Sequence, residues 1–334
     1  MEVTERGNSA VSVLLLGCGS IGRRHARILR SMGIADIRVY DPERRQVDLL
    51  SSESGPVTVH GSVEEALQAA PDSVFVLTPP ESHIPLAIEA MKADCDVFCE
   101  KPLSDSTRDL EALDACIRET GRTFMVGLCF RFHEALREAH RLVKEGGIGR
   151  ILSIRGFVGE HLPTVRPDYR SLFSVNSIGV FDLIHDIDLA IWFAGEEPTA
   201  TAAMYGTVSD IGISAPDLAE LMMKFPSGVI ASVHLDYFQI PRRRSIEIFG
   251  TRGVLKVDFS EWTHYRIEIS RHGLPADVKE GRTDRDDMFR EEDREFLEAA
   301  ASKRPVSAGF AEGRASVEVL ASVWRANASG NQGE

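Results

Sequence analysis

The stretch Val11-Ser12-Val13-Leu14-Leu15-Leu16-Gly17-Cys18-Gly19-Ser20-Ile21-Gly22 decides the fold class. A short apolar run ends in three glycines spaced G-x-G-x-x-G, and Arg23 to Met32 continue with helical composition up to Gly33. A strand, a tight turn and a helix in this order suit a dinucleotide. Gly17 permits the turn, Gly19 lets the backbone approach a pyrophosphate, and Gly22 lets the helix lie close to the sheet. The pyrophosphate would meet unpaired amides and the positive end of the helix dipole, which places Ser20 and Ile21 among the cofactor-binding candidates. Such spacing arises by chance, so context matters: Asp41 stands nineteen residues beyond Gly22, where an acid is required. The competing reading is a glycine-rich turn that serves packing only.

Asp41 can accept hydrogen bonds from both adenosine ribose hydroxyls and would repel a 2′-phosphate, so NAD is favoured over NADP. Arg44 and Arg45 keep NADP open, since either guanidinium could reach a phosphate at that edge; otherwise they are surface charge on a helix start.

Outward from this turn the pattern alternates. A strand over 35–40, a helix over 63–70, a strand over 73–77, a helix over 83–92, a strand over 96–99, a helix over 105–119 and a strand over 123–127 follow in order. Strands alternating with helices at this spacing imply an α/β, parallel, doubly wound sheet. Thr78-Pro79-Pro80 lies at the carboxyl end of one strand, where ligands bind in open α/β sheets, although alone it reads equally as a loop breaker.

Near residue 130 the texture changes. A helix over 134–145 stops at Gly146-Gly147, and later segments alternate with period two. Val229, Ala231, Val233, Leu235 and Tyr237 interleave with Ser232, His234 and Asp236; 255–259 and 265–269 behave alike. That is the signature of an antiparallel sheet with one buried face. Thr251-Arg252-Gly253 reads as a hairpin turn, and helices over 284–303 and 311–328 close the chain. The expected division is a nucleotide-binding domain over 1–128 and a substrate-binding, oligomerising α/β domain over 129–334, packed directly together.

Composition sets outer bounds. The chain has 334 residues, 43% hydrophobic and 27% charged, with a formal charge of −13. These values suit two packed globular domains and exclude collagenous or disordered classes. An acidic surface repels phosphate backbones and anionic lipid, so neither nucleic acid nor membrane is an expected partner. The opening Met1-Glu2-Val3-Thr4-Glu5-Arg6 has no cationic region and does not read as a secretory signal. The five cysteines lie within the first 129 residues without a C-x-x-C pair, which reads as reduced thiols in the cytoplasm. Cys95 and Cys99 are expected to pack rather than ligate.

Two places carry reactive chemistry. Glu100-Lys101-Pro102 follows a strand on the predicted cofactor side, where a lysine can donate to a substrate hydroxyl and stabilise the forming alkoxide. Phe181-Asp182-Leu183-Ile184-His185-Asp186-Ile187-Asp188 opens a helix in which Asp182, His185 and Asp188 would share one face. A histidine there can take a hydroxyl proton, and a neighbouring carboxylate would fix its tautomer and stabilise its charged form. A hydrogen-bonded core histidine with acids complementing the helix start is the competing reading. His185 with two acids would also suit Zn or Mn, but no H-E-x-x-H occurs, so no metal is expected.

Taken together, Gly17 through His25, Thr78-Pro79 with His83, Glu100-Lys101-Pro102 and His185-x-x-Asp188 occur in order. This set resembles the glucose–fructose oxidoreductase / inositol dehydrogenase (Gfo/Idh/MocA) family over nearly the whole chain. Phe130-Arg131-Phe132-His133, Gly159-Glu160-His161-Leu162-Pro163, Asp168-Tyr169-Arg170, His234-Leu235-Asp236-Tyr237 and Arg242-Arg243-Arg244 resemble a narrower branch found with surface-polysaccharide and sialic-acid-like sugar biosynthesis.

The resemblance implies a Rossmann domain followed by an α/β domain with a large, mostly antiparallel open sheet, with substrate between that domain and the nicotinamide. It implies oxidation of a ring hydroxyl, or reduction of a ketone, on a sugar or cyclitol. Lys101 matches the catalytic lysine and His185 the catalytic histidine, and Asp182 stands in for an aspartate that many members carry at the place of Phe181. Cofactor contacts are then expected from Gly17, Gly19, Ser20, Ile21, Gly22, Asp41, Arg44, Thr78, Pro79, His83, Glu100 and Lys101. Substrate contacts are expected from Lys101, Arg131, His133, Tyr169, Arg170 and His185; arginines there suit a carboxylate or phosphate, or serve interdomain salt bridges. The usual glycine pair ahead of the histidine helix reads Asn176-Ser177. A homodimer or homotetramer through the C-terminal sheet is implied. Two variants stay open: an enzyme that holds NAD for transient oxidation with no net redox change, and a non-catalytic nucleotide or sugar sensor.

Overall fold

Strand β1 (Ser12–Leu16) is buried along its full length, which is why its sequence is continuously apolar instead of alternating. It lies at the centre of a parallel sheet with β2 (Asp36–Tyr40), β3 (Thr58–Val59), β4 (Ser73–Val76), β5 (Asp96–Cys99) and β6 (Phe124–Val126). The order is β3-β2-β1-β4-β5-β6. The direction of winding reverses between β1 and β4, the place where doubly wound sheets open a crevice at their carboxyl edge. The computed structural model describes residues 11–172 and 178–330, so Asn176-Ser177 and the first ten residues lie outside the described residues.

The chain divides into two compact units. Residues up to Gly127 join Phe289–Arg314, and Leu128–Met288 joins Ala315 onward. The first seam falls one residue from the sequence-based boundary, but residues 289–314 belong with the nucleotide-binding unit. Packing explains why. Phe296, fully buried on helix Arg285–Ser302, meets Phe75 of β4 edge-on at 5.2 Å and Phe98 of β5 at 5.8 Å. Further along, Lys303 Nζ donates to both Asp96 oxygens at 2.9 and 2.8 Å, and Ala308 O accepts from the Val126 N–H at 2.7 Å.

The second unit is built on eight strands: β7 (Ile151–Gly159), β8 (Ala200–Gly206), β9 (Leu218–Lys224), β10 (Ile230–Asp236), β11 (Arg243–Gly250), β12 (Val254–Asp258), β13 (His264–Ser270) and β14 (Asp277–Arg282). Their order is β14-β13-β12-β11-β7-β10-β9-β8. The pair β7–β10 is parallel and the other described pairs are antiparallel, as the resemblance implied. Gly250 ends β11 and Val254 begins β12, so 251–253 form the connecting turn. On β10, Ala231, Val233 and Leu235 are buried against helix Ile184–Ala194. The opposite face is open: Met204 is 82% and Met222 52% exposed. Among the described residues no helix is long and apolar enough to cross a membrane.

Candidate functional site

The glycine turn behaves as its spacing demands. Gly17 sits at φ +104°, and a Cβ there would lie 2.6 Å from Leu77 O. A Cβ on Gly22 would lie 2.2 Å from Gly17 O, so helix Ser20–Ser31 can approach the turn only through a glycine. At Gly19 a Cβ would meet nothing within 4 Å. This open space faces a helix start that carries no side-chain cap and no acid in its first turn. Exposed amides at the positive end of a helix suit an anion. A pyrophosphate therefore fits over Gly19 and Ser20. Asp41 ties the turn to the end of β2: one carboxylate oxygen accepts from the Cys18 N–H and the other from the Glu43 N–H, each at 2.8 Å. Arg44 is exposed and pairs with Asp48 at 2.9 Å, a solvated contact one helical turn away.

Past β4, the Thr78 hydroxyl accepts from Ser82 Oγ at 2.7 Å, and Pro79 is exposed. His83 is buried with both ring nitrogens against carbonyl oxygens, Thr78 O at 2.7 Å and Pro102 O at 2.8 Å. It staples the loop after β4 to the loop after β5, so its ring nitrogens are already engaged by the protein. In the second loop Glu100 points inward and accepts the Lys101 N–H at 2.8 Å. Its other oxygen stands 3.6 Å from His25 Nε2, while His25 Nδ1 meets Asp293 Oδ1 at 2.8 Å. Asp293 escapes a reading of the sequence because it sits in a charged helix 268 residues from His25, where acids normally signal a solvated face.

His185 is buried near the start of helix Ile184–Ala194. Asp182 precedes that helix, in a 3-10 turn over Gly179–Leu183, so it does not share an α-helical face with His185 and Asp188. The turn forms because Gly179 takes φ +58° beside the Pro216 backbone, which leaves no room for a side chain. Phe130 meets the His185 ring edge-on at 5.0 Å, and Cys129 Sγ lies 3.9 Å from Nε2.

The two acids that follow His185 on the helix each hold an arginine. Asp188 takes Arg131 in a bidentate pair, with Nε at 3.0 and Nη2 at 2.7 Å, both partners buried. Asp186 takes Arg244 of β11, whose guanidinium lies 3.8 Å over the Phe130 ring. Together these pairs pin the His185 helix to the 3-10 turn over Cys129–Phe132 and to the sheet. Arg131 thus binds an acid of its own unit. His133 caps helix Glu134–Lys144 by accepting the Ala135 N–H at 3.2 Å; burial, helped by Arg244, pushes it down to about 4, so it stays neutral. Tyr169 is buried and donates to Ile211 O at 2.7 Å, whereas Arg170 is exposed.

The five cysteines are buried and unbridged. Burial, with Asp41 nearby, lifts the Cys18 thiol to about 12, and burial lifts Cys99 well above the usual thiol range, which suits packing groups. Among the described residues no group of three or more His, Cys, Asp or Glu is placed to hold a metal ion.

Comparison with known proteins identifies the family. Residues 11–128 match the oxidoreductase family with an NAD-binding Rossmann fold, and residues 136–256 match the GFO/IDH/MocA C-terminal domain. The chain is 29% identical to the 2,7-anhydro-N-acetylneuraminate hydratase of Escherichia coli, covering 81% of this chain and 74% of the relative. It is 27% identical to the UDP-N-acetylglucosamine 3-dehydrogenase of Acidithiobacillus ferrooxidans, covering 92% and 93%. An Agrobacterium radiobacter oxidoreductase, solved with NAD+, L-tartaric acid and magnesium, superimposes with a TM-score of 0.85 over 96% of this chain and 97% of that one. At 19% identity, that likeness speaks for the fold alone. With both family domains matched in order, the chain belongs to the GFO/IDH/MocA family of NAD-binding oxidoreductases.

Proposed function

We propose that this chain is an NAD-dependent dehydrogenase that acts on a ring hydroxyl, or in reverse on a ketone, of a sugar, cyclitol or sugar derivative. The observation that carries the reading is the open space over Gly19, at an uncapped helix start tied to Asp41. Bound NAD supplies the hydride acceptor. His185 takes the hydroxyl proton, and Lys101 donates a hydrogen bond to the same oxygen and stabilises its developing charge. Asp182, on the turn leading into the His185 helix, is the carboxylate proposed to favour the charged imidazole. Gly17 to Gly22, Asp41, Thr78 and Pro79 hold the cofactor, with His83 and Glu100 shaping the loops around it.

Arg170 is the proposed contact for a carboxylate or phosphate on the substrate, because it is exposed. Arg131, His133 and Tyr169, all buried, are proposed as further substrate contacts, Arg131 from a position where Asp188 already holds it. A second subunit covering the open sheet face around Met204 and Met222 is proposed as well. The test is a screen of sugars, cyclitols, uronic acids and nucleotide sugars with NAD, following reduced nicotinamide by absorbance. Turnover of at least one is expected; no turnover with any, together with no nucleotide binding, defeats the reading.

A second reading is favoured by the relative named as a hydratase. There the redox steps would cancel and water would be added or removed, with no net change in nicotinamide absorbance. Product formation without added NAD separates it from the dehydrogenase.

A further inference from the structure

Beneath the glycine turn, four ionisable side chains are shut away from solvent. His25, Glu292 and Asp293 have no exposed surface, and Glu100 has almost none. They sit among aromatic rings: Phe98 lies 5.2 Å, Phe75 5.6 Å and Phe289 5.9 Å from the His25 ring. Charge in such surroundings is costly, and an apolar side chain would fill the space at no such cost. The proposed chemistry uses none of the four directly, so their presence calls for a role.

The geometry arranges three of them in a line. Asp293 Oδ1 is 2.8 Å from His25 Nδ1, and His25 Nε2 is 3.6 Å from Glu100 Oε1. Glu100 Oε2 accepts the Lys101 N–H at 2.8 Å. The line starts on helix Arg285–Ser302, crosses helix Ser20–Ser31 and ends at the backbone of the reactive lysine. We infer that Asp293 and His25 are positioning residues for Lys101, acting through Glu100. The inference rests on the dehydrogenase reading for the task of Lys101, but the line of contacts stands apart from it.

Electrostatics favours an imidazolium at the centre of the line. Burial works against charge on His25, but Asp293 and Glu100 outweigh it and hold the ring at about 10. Glu292 is pushed the other way: burial, then the neighbouring Glu100 charge, lifts it well above the carboxylate range, so it keeps its proton. Neither of its oxygens has a hydrogen-bond partner among the described residues. A neutral Glu292 leaves the His25 charge to the two acids that flank the ring. Among the described residues, Asp293 and Glu292 from helix Arg285–Ser302 and Glu100 from the loop after β5 are the ionisable groups facing His25, with Arg24 beside it on its own helix, over Phe289. The His25 cation attracts Glu100 across 3.6 Å as an ion pair, not a hydrogen bond, since Nε2 has no hydrogen-bond partner among the described residues, while the other Glu100 oxygen holds the Lys101 N–H.

The test uses the full chain and the variants Asp293→Asn and Glu100→Gln. Turnover is measured against pH with the best substrate from the screen, and NADH affinity by fluorescence. Asp293→Asn is expected to lower kcat about tenfold or more while NADH affinity stays within about twofold. With Asp293 neutral, burial is less opposed and His25 should lose its proton at a lower pH than in the wild type, so kcat of the variant should fall with rising pH where that of the wild type does not. A purely structural defect would lower kcat equally at every pH, and that result overturns the inference. The Lys101 amide resonance, read by NMR, gives an arm independent of activity. It should move in both variants, and an unmoved resonance also overturns the inference. If the wild type turns over no substrate, the dehydrogenase reading fails while this amide shift still decides the line of contacts. Should Asp293→Asn fail to fold, the wild-type His25 ring decides: both nitrogens protonated at pH 8 is expected, and a neutral ring overturns the proposal.

Discussion

Arg131 and Asp188 close a bidentate ion pair inside the second unit, with Nε–Oδ2 at 3.0 Å and Nη2–Oδ1 at 2.7 Å and both side chains buried. The pair anchors the helix that carries His185, three residues before Asp188. Removing one partner leaves the other charged and dry. Arg131→Met is expected to destabilise the chain by about 3–5 kcal/mol, read as a shift in urea midpoint. A change below about 1 kcal/mol would show that the pair is not an anchor.

The three glycines should separate folding from cofactor binding. Gly22→Ala drives a methyl to 2.2 Å from the Gly17 carbonyl, so it should cost about 1–3 kcal/mol of stability as well as NADH affinity. Gly19→Ala meets no protein atom within 4 Å and should leave thermal stability near wild type. Its methyl occupies the space proposed for pyrophosphate, so NADH should bind at least about tenfold more weakly. Equal NADH affinity in Gly19→Ala and wild type would move the phosphate site elsewhere.

Replacing Lys101 by Ala should reduce kcat by about 10²–10⁴, the range for a lost general acid–base or oxyanion contact. NADH affinity should change little. His185→Asn should behave alike and should flatten the limb of the pH profile that reports an imidazole. Retained turnover in Lys101→Ala would refute the role given to that lysine.

Stability should peak near neutral pH. His133 and His140 are both pushed down to about 4, chiefly by burial, so the unfolded chain protonates them first. Their contribution is present above about 6.5 and is lost as pH falls through 4. His25 runs the opposite way: held at about 10 when folded, it contributes fully below about 6.5 and its contribution fades as pH rises through 10. Glu292 adds to this second slope, since the folded chain keeps a proton that the unfolded chain has released. Urea midpoints at pH 5, 7 and 9.5 check the curve; a midpoint still rising at pH 9.5 would contradict the charged state of His25.

What the sequence discloses depends on how far apart the interacting residues lie. The glycine turn is legible because its parts are consecutive and each glycine answers a local steric demand. β10, β12 and β13 are legible because one face of each is buried and the alternation survives. Strand β14 leaves no such trace, being exposed along nearly its whole length, and β3 is two residues long. Arg131 reads as a substrate contact because its partner, Asp188, lies 57 residues away. Asp293 is farther still from His25, and a buried acid looks like any other acid until its neighbours are known.

The return of residues 289–314 to the first unit bears on the order in which a ribosome makes this protein. The parallel sheet is translated by residue 127, yet the ring that packs on Phe75 and Phe98, the ammonium that engages Asp96 and the acid that pairs with His25 all emerge more than 150 residues later. Until then the nascent nucleotide-binding half lacks part of its core and leaves the His25 imidazole without Asp293. The first unit is therefore incomplete until residues 289–314 are made, so a chain cut short before residue 289 lacks one wall of that unit.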